Sequence, residues 1–225
     1  MRIFVAGATG ATGQVFVPRA TTAGHQLILH VRPQSVTKSS LGKDPRARVF
    51  DLADAAALAD AMAGCQAVIS FVGTMRSRFQ AGDTYQSSDV ASTRQLVAGA
   101  QAAKVPRLIL MSSLGAGSYG AYLQMKGECE AIVKESGLRW TVLRPSGLES
   151  PKGSPEGPHG VRRPPPGMDA LFGALRAVPG LASWADDYRP IPLDVVCDAI
   201  LRVLVDPHDG ATLKGRDLWA LAARR

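Results

Sequence analysis

Apolar positions in the first two thirds of the chain gather into short runs, separated by longer stretches with helical periodicity. The runs Arg2–Ala6, Gln26–Val31, 48–50, 67–72, 108–111 and 140–143 predict β-strands. Between them, 13–23, 55–63, 85–103 and 119–135 predict helices, with Asp54 capping the alanine-rich second one. Short strands that are mostly apolar are buried on both faces, so their separation by helices predicts an α/β fold with a covered parallel sheet. Right-handed crossovers then give a doubly wound sheet of order 3-2-1-4-5-6.

After Arg144-Pro145 the pattern changes. Residues 150–167 contain six prolines (Pro151, Pro155, Pro158, Pro164, Pro165, Pro166) and read as a loop. A short helix is expected at Met168–Ala177, an extended piece at 188–191 and an amphipathic helix at Leu193–Val205. Val195, Val196, Ala199, Ile200, Val203 and Leu204 form a core-facing stripe on the last of these. The chain is therefore expected to be one domain, with a core over 1–145 and a small C-terminal lobe over 146–225 on the substrate side. Trp184 and Tyr188 are read as packing residues of that lobe.

The first strand runs into Gly7-Ala8-Thr9-Gly10-Ala11-Thr12-Gly13, and the first helix opens from it. Gly7 allows a tight exit from the strand, Gly10 leaves room for a phosphate, and Gly13 lets the helix pack closely. The helix amides then face an anion. This context predicts a Rossmann fold that binds a nicotinamide dinucleotide, with Thr9, Ala11 and Thr12 completing the cradle. The second strand ends Leu29-His30-Val31-Arg32, without a carboxylate for the ribose hydroxyls. Arg32 suits a 2′-phosphate, which favours NADP(H) over NAD(H). Asp51 and Leu52 are placed beside the adenine, although Asp51 equally suits a local turn before the next helix. Phe71, Val72, Gly73 and Thr74 are placed along the ribose and pyrophosphate. Arg76 and Arg78 read as a solvated loop.

Ser112 and Ser113 end the fifth strand, and the next helix carries Tyr122 and Lys126 on one face. These groups suit hydride transfer at a carbonyl. A phenol exchanges the proton, an ammonium eases its ionisation and holds the ribose, and a hydroxyl steadies the reacting oxygen. Lys126 and Glu130, also four apart, are a competing pair.

The stretches Ser112-Ser113-Leu114-Gly115-Ala116, Tyr122-Leu123-Gln124-Met125-Lys126-Gly127-Glu128 and Arg144-Pro145 resemble the atypical short-chain dehydrogenase/reductases. Among them the chain resembles the Tat-interacting-protein-30-like oxidoreductases and their bacterial relatives, with a weaker echo at Ser183-Trp184-Ala185 and Ile191-Pro192. The resemblance implies an NADP(H)-binding core in which Ser113, Tyr122 and Lys126 match the family serine, acid/base and ribose-binding lysine. Segment 115–121 is shorter than is usual in the wider superfamily. The activity implied is reduction of a small carbonyl-type substrate. A non-catalytic NADP(H) sensor is one alternative, and nucleotide-sugar epimerase or dehydratase chemistry, which calls for a larger lobe, is another. By analogy with the superfamily, 85–103 and 119–135 would form a homodimer contact.

Composition narrows this further. Hydrophobic residues make up 46%, enough for a packed core. No apolar run reaches the ~20 residues of a membrane span, and the first residues do not read as a signal peptide, so a cytoplasmic location and no membrane partner are expected. Cys65, Cys129 and Cys197 stand singly and read as reduced, mostly buried thiols. The histidines show no metal-ligand spacing, and no metal is expected. The net charge of +7 comes from dispersed residues without interleaved aromatics, so a small molecule rather than a nucleic acid is the expected partner.

Overall fold

The computed structural model describes residues 1–73, 84–154 and 156–224; Thr74, Arg76, Arg78 and Pro155 lie outside the described residues. Strand β1 (Arg2–Ala6) leads into α1 (Ala11–Thr22), followed by β2 (Gln26–Val31), β3 (Ala47–Val49), α2 (Ala55–Met62) and β4 (Ala67–Ser70). Next come α3 (Ala91–Ala102), β5 (Arg107–Met111), α4 (Ala121–Lys134) and β6 (Arg139–Arg144). The last third holds β7 (Leu148–Glu149), α5 (Met168–Ala177), α6 (Ala182–Tyr188), β8 (Ile191–Pro192), α7 (Leu193–Val205), β9 (Ala211–Lys214) and α8 (Gly215–Ala223).

The main sheet is parallel, with order β3-β2-β1-β4-β5-β6-β9. Six of its strands stand in the expected order. The seventh, β9, was not expected. It is a four-residue edge strand with one buried side chain, Leu213, too short and too polar to stand out as an apolar run. The neighbours of β1 are β2 and β4, so the strand order reverses there, at the place where ligands sit in such sheets.

Alternation along the strands divides the core in two. Ile3, Val5, Leu27, Leu29, Ile69 and Ile109 face α1, α7 and α8. Phe4, Ile28, Val68, Leu108, Leu110 and Val142 face α2, α3 and α4. Each such large side chain contributes roughly 1.5–3 kcal/mol by leaving water. Asp54 caps α2 as expected, accepting the Ala57 amide at 3.0 Å.

The C-terminal third splits. Helix α7 packs on α1, and Val196, Cys197, Ile200 and Val203 are fully buried with Leu218 of α8. These elements complete the core, so the expected lobe shrinks to the segment between β6 and β8. That segment is tied down by a two-stranded parallel ladder, Leu148 opposite Ile191 and Glu149 opposite Pro192. The extended piece expected at 188–191 is found in part, as β8 from Ile191, with α6 running up to Tyr188 before it. Trp184 and Tyr188 stack on each other at 4.8 Å, and Trp184 stacks on the buried Phe172 at 6.4 Å, so they pack within this segment while remaining 46% and 49% exposed. All three cysteines are free and buried.

Candidate functional site

The glycine turn has little freedom. Gly7 has φ +80°, and a Cβ there would lie 2.8 Å from the carbonyl carbon of Phe71, so β1 leaves the sheet against the end of β4. The Gly10 amide donates to the Gly7 carbonyl at 3.0 Å and closes the turn. A Cβ on Gly10 would meet only the Gly7 carbonyl, at 3.2 Å, and otherwise open space. The first-turn amides of α1, from Ala11 to Gly13, have no intrahelical acceptor, and no acidic residue stands among them. Open space above Gly10, free donors and a positive helix end fit the pyrophosphate of a dinucleotide. Thr9 is half-buried at the rim, while Thr12 is buried, its carbonyl 3.8 Å from the Cys197 sulfur.

Beyond β2, Arg32 is half-buried at the start of a short 3₁₀ stretch, Pro33–Lys38. His30 is buried between the rings of Phe4 and Phe50 and donates Nε2–H to the Phe50 carbonyl at 3.0 Å. Burial, with the Arg32 charge adding to it, pulls the imidazole pKa down to about 4. A histidine neutral in the fold but free to protonate near 6.5 when unfolded stabilises the fold fully above 6.5. That contribution fades as pH falls toward 4. His30→Asn is expected to flatten the stability profile over this range, by at most about 3 kcal/mol, as read by urea unfolding at several pH values. Asp51 is exposed; its carboxylate accepts the Ala53 amide at 2.9 Å, and its carbonyl accepts the Asp54 amide. This is the local turn role. Leu52 is buried in the core beneath it, and Phe71 packs its ring on Phe16 at 5.3 Å, so both side chains lie in the core. Only the Phe71 backbone borders the turn.

On the other side of the switch point, Lys126 is buried. Its ammonium donates to the Val72 carbonyl at 3.4 Å and lies 3.8 Å from the Asp89 carboxylate. A Cβ on Gly73 would sit 3.6 Å from the same nitrogen. Tyr122, one turn earlier, has its ring centroid 5.9 Å from that ammonium and 6.0 Å from the ring of Tyr85. The structure therefore gathers Tyr122, Lys126, Val72 and Gly73, and adds Asp89, which sequence reasoning missed. Asp89 is buried in a single π-helical turn, Tyr85–Val90, ahead of α3. A π turn lies hidden inside a longer helical pattern, and such turns gather at functional sites.

Ser113 is half-buried after β5, its hydroxyl 3.4 Å from the Leu114 carbonyl. The short segment to Tyr122 folds back on α4: the Gly117 amide donates to the Leu123 carbonyl at 2.7 Å. A Cβ on Gly127 would lie 2.6 Å from the Gly117 Cα, so this approach needs glycine. Glu130 does not pair with Lys126. It is buried and accepts from Ser112 Oγ at 2.6 Å, Arg144 at 2.7 and 2.8 Å, and Lys134 at 2.9 Å. Burial pushes its carboxyl upward, but those donors outweigh it and hold the pKa below the usual range. A surface depression of about 420 Å³ lies at the amino ends of β5 and β6, beside Lys104 and Arg139, the opposite end from these groups.

Residues 7–167 match the model of a family described as NAD(P)H-binding. The chain belongs to that family. The resemblance to the atypical short-chain dehydrogenase/reductases is thereby borne out at the level of an NAD(P)H-binding Rossmann fold. Over 152 residues this NAD(P)H-binding chain is 31% identical to "Photosystem II assembly factor Ycf39" of Cyanophora paradoxa, covering 66% of itself and 46% of that protein. It is 28% identical over 176 residues to the chloroplastic protein TIC 62 of Arabidopsis thaliana, covering 66% of itself and 28% of that protein. The chain thus spans less than half the length of these two relatives. In fold it resembles a putative NAD-dependent epimerase/dehydratase from Bacillus halodurans, with TM-score 0.69, 18% identity, and coverage of 98% and 99% of the two chains. It also resembles the UDP-N-acetylglucosamine 4-epimerase of Bacillus cereus, with TM-score 0.64, 16% identity, and coverage of 98% and 82%. Among the described residues, no helix is long and apolar enough to cross a membrane.

Proposed function

We propose that the protein is an NADP(H)-dependent reductase of a small carbonyl-type compound. The observation that carries the reading is the burial of Lys126 beside Val72 and Gly73, with Tyr122 next to it on the same helix face. The reduced dinucleotide, when bound, supplies the hydride. Tyr122 holds the proton that the substrate oxygen takes up. Lys126 faces the phenol, lowers the cost of the phenolate and reaches the ribose hydroxyls. Asp89 keeps the ammonium in place, Ser113 steadies the substrate oxygen, and Arg32 receives the 2′-phosphate.

Tyr122→Phe is expected to lower carbonyl-dependent NADPH oxidation by roughly a hundredfold or more, with NADPH binding unchanged. A rate equal to wild type would remove Tyr122 from the chemistry. The similarity to a protein named as an assembly factor favours a second reading, a cofactor-bound sensor that recruits a partner. That reading expects NADPH binding without turnover across a carbonyl panel.

A further inference from the structure

The proline-rich loop after β7 reaches back to the glycine turn. Its tip, Pro158–Gly160, sets His159 in the left-handed region, φ +58° and ψ +30°, in an exposed position. The hairpin behind it is closed by the Gly157 amide donating to the Val161 carbonyl at 2.6 Å and by the antiparallel bridge between Glu156 and Arg162. The His159 Nε2 lies 2.7 Å from the Thr9 carbonyl, in the middle of the turn. The Gln14 side-chain amide donates to the same carbonyl at 2.9 Å, and the two nitrogens are 3.1 Å apart.

A carbonyl oxygen only accepts, so the imidazole must carry its proton on Nε2 to bond it. Two donors then converge on one acceptor, and neither nitrogen can accept from the other. Turning the Gln14 amide over would instead face its oxygen to the Thr9 carbonyl. Either arrangement leaves one poor contact. An acceptor with several oxygens beside the turn removes the conflict.

We propose that His159 is a ligand of the cofactor's pyrophosphate. With the dinucleotide in the turn, Nε2–H passes to a phosphate oxygen, Gln14 keeps the Thr9 carbonyl, and the substrate-side loop is held over the cofactor. The inference rests on the dinucleotide lying at the glycine turn, as in the reading above. It ties the segment that borders the substrate to cofactor occupancy.

The test compares wild type, His159→Ala and His159→Gly by titration with NADPH and with adenosine 2′-monophosphate, which has no pyrophosphate. The two variants load the left-handed backbone differently but lose the same donor. Both are expected to weaken NADPH about tenfold, the usual size for a hydrogen bond to a charged group, and to leave the monophosphate unchanged. Trypsin cleavage after the exposed Arg162 is expected to slow several-fold with NADPH in wild type and not in the variants. Variants that bind NADPH like wild type, with the loop still protected, would overturn the inference alone. Wild type that binds no NADPH would overturn it together with the cofactor reading.

Discussion

Gly13→Val is expected to abolish NADPH binding and to cost the fold about 3 kcal/mol or more. Even the first added carbon would stand 2.4 Å from the carbonyl oxygens of both Gly7 and Ala8. Both neighbours are backbone, and Gly7 is itself wedged against Phe71, so neither can step aside. Relief requires α1 to lift away from the turn. Phe16, Val17 and Ala20 would leave their contacts with the sheet, and the amides that face the anion would move with them. Overpacking of this kind costs roughly 1–3 kcal/mol for a methylene or two, and valine adds more. Gly10→Ala separates binding from folding. Its methyl meets only the Gly7 carbonyl at 3.2 Å, so stability should change by less than about 1 kcal/mol. Because it projects where the pyrophosphate is placed, affinity should still fall. Urea unfolding and NADPH titration of the two variants together check both statements.

The second large effect is at Glu130. Removing it by Glu130→Ala leaves Arg144 and the buried Ser112 hydroxyl without their acceptor. Breaking a buried pair in this way costs about 3–5 kcal/mol. Arg144 keeps 22% of its side chain exposed, so the lower end applies. The loss should also reach the site. Arg144 precedes Pro145, whose carbonyl accepts the Leu114 amide at 2.8 Å, immediately after Ser113. A slower turnover with unchanged NADPH affinity is the expected signature. The pH dependence follows from the sign of the shift. A carboxyl held below its unfolded pKa stabilises the fold above that value, near 4.5, and the contribution is lost as pH falls through the folded value. Wild type should therefore lose stability below about pH 4.5, and Glu130→Gln should flatten this limb. An unaltered acid limb in Glu130→Gln would assign it to other carboxylates.

The strands with several consecutive apolar residues were legible because burial on both faces leaves few polar positions in them. The succession of six strands and the glycine turn then placed the switch point. What escaped notice was short or irregular. Edge strand β9 buries only Leu213, and α6 contains two adjacent aspartates and no apolar stripe. The candidate site was legible where spacing carries geometry: Gly7 and Gly13 stand where the turn leaves no room for a side chain, and Tyr122 stands next to Lys126. Asp89 and His159 were not legible, because each acts through a contact across many residues: Asp89 with Lys126, and His159 with Thr9. Phe71 and Leu52 misled for the opposite reason. They flank the cleft in sequence, but Leu52, in the turn after β3, and Phe71, just past the end of β4, pack their side chains into the core.

The most direct test of the cofactor assignment is a fluorescence titration of the purified protein with NADPH and with NADH, repeated on Arg32→Ala. The expected result is tighter binding of NADPH by about tenfold or more, with that preference lost in Arg32→Ala, as for removal of a charge-assisted phosphate contact. Equal binding of the two cofactors by wild type would contradict the 2′-phosphate role of Arg32. Binding of neither would contradict the reading of the glycine turn, and the catalytic assignment of Tyr122 and Lys126 would fall with it.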